Sequence, residues 1–259
     1  MYRISNFTDN NDVRTINELG PFKVIEYVRD LSVTPSIAQV SYFSNLMNVR
    51  KRQVICNLAV SPITVQAGAM QWMIGNVNAT TGIKGVGDLF SKAVRGKVTG
   101  ESAIKPEYTG DGLMILEPTY RHILLLDLEA WNGSIVLDDG LFLACESKLQ
   151  QRAVARSNLS SALAGNEGLF NLGIQGNGIL CLESPCPQEE LIEIELQNDV
   201  VKIDGNMAIA WSGSLTFTVE RSGKSLIGSA ASGEGLVNVF RGTGKVLLAP
   251  VDRVNRFPS

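Results

Sequence analysis

The sequence predicts an all-β protein of three tandem pseudo-repeats of about 66 residues, each a small β-sandwich or double-stranded β-helix-like unit, with minor helix. Three observations predict it. Thr109-Gly110-Asp111-Gly112, Gln175-Gly176-Asn177-Gly178 and Arg241-Gly242-Thr243-Gly244 repeat a polar-Gly-x-Gly step at a spacing of 66 residues, twice over. Each step leads into a short apolar run ending at Leu116, Leu182 or Leu248, and then into Pro118, Pro185 or Pro250. Finally, Ile192, Ile194 and Leu196 alternate with Glu193 and Glu195, and Leu215 to Glu220 alternates likewise, the period-2 mark of half-buried strands.

Taken in order, residues 1–49 form an N-terminal extension outside the repeat. It has a polar start and then a mixed apolar segment from Phe22 to Val40, expected to add edge strands. The first unit, 50–118, opens with the apolar segment Gln53 to Leu58 and continues through Gly68-Ala69-Met70-Gln71-Trp72. Its connector around Gly82 to Arg95 is longer than its counterparts and contains the best helix candidate, Asp88 to Arg95, where Asp88 can cap. The second unit, 119–185, opens with Ile123 to Leu128, continues through Gly140 to Ala144, and has a shorter helix candidate at Ser157 to Leu163 before Gly165. The third, 186–250, opens with Leu191 to Leu196 and continues through Asn206 to Ala210; residues 251–259 are a tail. With Trp72, Ala144 and Ala210 as anchors, Val65, Leu137 and Ile203 lie seven residues back, and Val77, Leu149 and Leu215 five ahead.

The glycines Gly110, Gly112, Gly176, Gly178, Gly242 and Gly244 are expected in hairpin turns, where positive φ is needed, with the following proline ending each strand because it lacks an N–H. A lone glutamate precedes each step: Glu101, Glu167 and Glu234. Such a carboxylate can accept hydrogen bonds from its own turn, or three of them can line a cation or ligand site.

Complete chemical motifs are not found. Gly223-Lys224-Ser225 lacks the earlier glycine of a phosphate loop, since Thr218 stands there, and Gly244-Lys245-Val246 also lacks the hydroxyl. Gly85-Val86-Gly87 fails as a dinucleotide loop at Phe90. The single histidine, His122, excludes a two-histidine metal site within one chain and reads as a strand-edge residue. No catalytic, cofactor-binding or metal-ligating residue is assigned. Cys181 reads as a buried small hydrophobe and Cys186 as an exposed thiol, while Trp72 and Trp211 read as core. The cluster Arg50-Lys51-Arg52 reads as a solvated strand entrance or, more sharply, as a contact for phosphate or acidic lipid headgroups.

The formal net charge of −3 argues against nonspecific nucleic-acid binding, and the 259 residues suffice for one large or several small domains. No secretory leader or membrane span is expected, and four scattered cysteines point to a reduced, cytoplasmic setting.

Gly68-Ala69-Met70, Gly100-Glu101-Ser102, Gly140-Leu141-Phe142-Leu143-Ala144 and Gly233-Glu234-Gly235-Leu236-Val237 resemble the altered-inheritance-of-mitochondria protein twenty-four family over about 50–250. The resemblance implies three units, each similar to the tryptophan RNA-binding attenuation protein, with three chains closing into a ring. It implies no tryptophan or RNA binding, because the residues before the first glycine (Thr109, Gln175, Arg241) form no repeated basic set. The expected function is a non-enzymatic, homo-oligomeric (trimeric) β scaffold or protein-interaction module. The alternatives are a small-ligand or nucleic-acid-binding regulator, and an enzyme using a carboxylate among Glu101, Glu167 and Glu234.

Overall fold

The computed structural model describes residues 2–80, 105–155, 170–221 and 236–250, which are mostly β-strand with one α-helix. The helix candidates at Asp88–Arg95 and Ser157–Leu163 lie outside these residues.

The N-terminal extension forms a hairpin, β1 (Val13–Leu19) and β2 (Phe22–Tyr27), turning at Gly20 with φ +56°. The expectation of strands up to Val40 holds only to Tyr27. Pro35–Leu46 is instead a helix, α1, with Pro35 in its first turn, where a missing N–H costs nothing. Ile37, Val40, Phe43 and Met47 recur at three- to four-residue intervals, a helical period that high apolar content alone does not reveal.

Next come β3 (Arg52–Asn57), β4 (Ile63–Val65), β5 (Met70–Thr80) and β6 (Glu107–Leu116). β5 runs along one side of β6, while β4 pairs with the N-terminal part and β3 with the C-terminal part of its other side. The following stretch has β7 (His122–Asp127), β8 (Ser134–Leu137), β9 (Phe142–Glu146), β10 (Gln150–Ala155), β11 (Phe170–Gln175) and β12 (Ile179–Ser184). Here β11 lies between β8 and β10, and β12 between β7 and β9. The last stretch has β13 (Ile192–Asp204), β14 (Ala208–Ser212), β15 (Thr216–Arg221) and β16 (Leu236–Leu248). β13 runs along one side of β16, with β14 and β15 sharing the other.

These strands form two sheets. The first has the order β1-β2-β3-β6-β4-β9-β12-β7, with β5 also on β6, and curls into a nearly closed barrel as β1 approaches β7. At that seam Gly20 lies so close to Ile179 that a Cβ would stand 2.8 Å from its Cγ1. The second sheet has the order β10-β11-β8-β14-β16-β13, with β15 on β16, and curls into a half-barrel. Phe22, Val54, Ile63, Met114 and Cys181 fill the barrel, and Trp211, Phe240, Leu196 and Val246 line the half-barrel.

The Gly-x-Gly steps do not reverse the chain, which corrects the hairpin expectation. Gly110 and Gly112 lie inside β6, and Gly242 and Gly244 inside β16, while Gly176 and Gly178 join β11 of one sheet to β12 of the other. Gly110, Gly176 and Gly242 share one backbone state, with φ +127°, +124° and +122°. Only glycine holds it cheaply, and it kinks a strand so that its two halves serve different neighbours. The prolines do end strands: β6, β12 and β16 stop at Leu116, Ser184 and Leu248, just before Pro118, Pro185 and Pro250.

Candidate functional site

Two places in this fold stand out. The first is the entrance to β3, where Arg52 is buried, Arg50 and Lys51 are half-buried and all three are ion-paired, which corrects the reading of Arg50-Lys51-Arg52 as a solvated entrance. Glu26 on β2 is 2% exposed and receives Arg14, Arg50 and Arg52 at 2.8, 2.9 and 2.8 Å. β2 and β3 pair with Glu26 opposite Arg52, so the register itself delivers the buried pair. Arg52, also 2% exposed, donates to the carbonyl and side chain of Asn48, and Arg50 to the side chain and carbonyl of Asn45 at the end of α1. Lys51 is taken by Asp30. Burial would raise the Glu26 pKa, but hydrogen bonds from Arg50 and Arg14 and the charge of Arg52 outweigh it and hold the carboxyl below its usual range. Burial likewise depresses the Arg52 guanidinium, against the pull of Glu26. The cluster ties α1 to the barrel, and α1 itself buries no residue.

The second is a pair of sheet edges. Inside the chain, β4 pairs with β9 in the register Val65↔Ala144, and β8 with β14 in the register Leu137↔Ala210. The flanking hydrogen bonds match: Gln66 N to Leu143 O at 2.8 Å and Asp138 N to Ile209 O at 2.9 Å, then Ser147 N to Pro62 O at 2.9 Å and Gly213 N to Ser134 O at 3.0 Å. Among the described residues, neither β13 nor β5 has a strand on its outer edge. β13 there presents Val201–Ile203, and β5 presents Trp72–Ile74.

The other expectations fall as follows. Glu101, Glu167 and Glu234 lie outside the described residues. Trp211 is buried, whereas Trp72 is half-buried on the barrel's outer face against Phe7. Cys181 is buried as expected. Cys186 is buried too, correcting the exposed-thiol reading: Ser184 Oγ donates to its carbonyl at 2.6 Å, folding the segment after β12 into the core. Desolvation pushes the Cys56 and Cys181 thiols up, and Cys145 to about 12. His122 opens β7 opposite Ser184. The sequence did not single out Glu26, whose only local signal is a charge between the apolar Ile25 and Tyr27.

Architecture and site thus define a protein of two curled sheets with open edges and a salt-bridged helix mount. Residues 45–251 match the family model described as mitochondrial biogenesis AIM24, and the chain belongs to that family. An uncharacterised protein of Streptococcus pyogenes serotype M6 is 31% identical over 194 residues, spanning 72% of this chain and 75% of that protein. A Streptococcus pyogenes protein solved by X-ray crystallography superposes with a TM-score of 0.58 at 27% identity, over 80% of this chain and 90% of that one. No helix among the described residues is long and apolar enough to cross a membrane.

Proposed function

We propose that the chain is a non-enzymatic β scaffold that assembles head to tail, three copies to a ring, from three units of one strand plan. Support for the plan comes from the pairing: the closing strand of each stretch (β6, β11 with β12, or β16) is flanked on one side by the opening strands (β3 and β4, β8 and β7, or the single long β13) and on the other by those that follow (β5, β10 and β9, or β14 and β15). Three equivalent hydrogen bonds agree with it: Glu117 N to Ala69 O, Glu183 N to Leu141 O and Ala249 N to Met207 O, at 2.7, 2.8 and 2.8 Å.

The observation that carries the assembly is the junction. Units one and two, and two and three, join by one register, and the same surfaces then remain on β13 and β5. Continuing that register places Ile203 opposite Trp72 of the next copy, and Lys202 opposite Met73. Such a heterologous contact closes into a ring when the rotation allows, and it removes open edges that invite uncontrolled pairing. Mild oxidation of a Lys202→Cys/Met73→Cys variant tests it, both positions being exposed. Disulfide-linked dimers and trimers are expected on a non-reducing gel, absent from either single variant. A disulfide within one chain, or none, would overturn the register.

A further inference from the structure

We infer that the N-terminal arm, residues 2–11, is a displaceable strap that competes with a neighbouring copy for β5 and so restrains ring closure. The inference rests on the head-to-tail reading of β5 and β13. The arm lies on β5 through two aromatic rings. Phe7 meets Trp72 with ring centroids 5.4 Å apart. Tyr2 lies over Gly75, where a Cβ would stand 3.3 Å from Tyr2 Cε1. Among the described residues, 2–11 hydrogen-bond only to one another and to the adjoining Asp12. The arm belongs to no strand, and most of its residues are exposed. A segment with no hydrogen bond to the body and so little burial opens at low cost.

Trp72 and Gly75 are the residues that a neighbouring copy would need. Inside the chain, the residues corresponding to Trp72 are Ala144 and Ala210, which face Val65 and Leu137. Val65 shares one buried cluster with Ala144, and Leu137 another with Ala210, because opposed residues of an antiparallel pair point to the same side. The residues corresponding to Gly75 are Ser147 and Gly213, whose N–H groups donate to Pro62 O and Ser134 O. Carried on to β13, this register sets Ile203 against Trp72 and Val200 against Gly75. Ile203 would then come to the side of β5 on which Trp72 and Phe7 pack. The buried clusters repeat the conflict. Cys181 packs with Val65, Tyr108 and Met114 of the unit before it. Ile115, 66 residues earlier, has no unit before it and packs instead in a cluster with Ile25, Val13 and Phe7. The N-terminal extension therefore stands where a preceding unit would, and ring closure has to move its unpaired arm. A bound arm lowers the fraction of chains able to join, and with it the apparent affinity for a neighbour.

The test is mass photometry over a dilution series of the full chain and of its Phe7→Ser and Tyr2→Ser/Phe7→Ser variants. Both variants should keep the parent's circular dichroism spectrum. Their three-chain species should be half-formed at a concentration lower than the parent's by about fivefold or more, the worth of one partly buried ring. An arm that merely supported the fold would give the opposite change, since its loss would weaken β5. Variants that assemble like the parent, or only at higher concentration, overturn this inference and leave the ring reading standing. A single chain mass for parent and variants at every concentration overturns the ring reading, and the strap with it.

Discussion

Gly110, Gly176 and Gly242 share a backbone state but not surroundings, so alanine at each should cost different amounts. The shared part is the strain of φ near +125° in an L-residue, about 1–3 kcal/mol, reduced by about 0.4–1 kcal/mol because alanine restricts the unfolded chain. At Gly242 a new Cβ meets nothing nearer than Leu215 Cδ2 at 3.6 Å, so about 1–2 kcal/mol is expected. At Gly176 it meets the movable tip of Leu149 at 3.2 Å, adding a few tenths of a kcal/mol by small rotamer shifts. At Gly110 it would stand 2.0 Å from Asn76 O, a backbone atom of the paired strand β5. That clash is relieved only by parting β5 from β6, at about 1 kcal/mol for each ladder hydrogen bond lost, giving about 4 kcal/mol in all. Urea unfolding followed by circular dichroism should rank the midpoints Gly242→Ala above Gly176→Ala above Gly110→Ala. Coincident midpoints for Gly110→Ala and Gly242→Ala would refute the account of these glycines as corners with distinct neighbours.

Glu26→Gln leaves three guanidinium groups around a neutral amide and should cost about 3–5 kcal/mol, read by the same unfolding assay. Because the Glu26 pKa is lowered on folding, its contribution is complete above the unfolded value of about 4.3 and is lost as pH falls through the folded one. Acid titration should therefore show a smaller destabilisation below about pH 4 in Glu26→Gln than in the parent, with Asp30 and Glu220, also held low, contributing the remainder in both. All four cysteines are buried, so Ellman's reagent should label none in the native protein and all four in denaturant; rapid native labelling of Cys186 would contradict its placement. Phe240→Ala removes a fully buried ring packed on Trp211 and Phe217 at 5.1 and 5.0 Å, and should cost about 3–5 kcal/mol in the melting assay.

The strand content was legible because alternation, glycine and proline are local signals. Ile194 and Leu196 face inward on β13 as their alternation predicts, while Ile192, expected on the same face, is exposed at the start of the strand. The glycine steps were found but misassigned: positive φ serves a kink within a strand as well as a hairpin, and only pairing distinguishes them. Leu58, Leu128 and Leu196 show the missing information. Leu58 N and Leu128 N donate to Gly112 O and Gly178 O, and Leu196 pairs with Gly244. That match across the corner involves residues far apart in the chain. Arg50-Lys51-Arg52 looked like a free basic patch because its neutralising partners, Glu26 and Asp30, come from the previous strand and loop. α1 escaped because Tyr42 and Leu46, with the interspersed Ser36, Gln39, Ser41 and Ser44, blur the Ile37-Val40-Phe43-Met47 period.

The central claim is that the unsatisfied edges of β5 and β13 belong to one another in different copies. Native mass spectrometry of the full chain tests it most directly. The account predicts a discrete species of three chain masses that persists on dilution. A single chain mass, or a distribution that drifts with concentration, would contradict it.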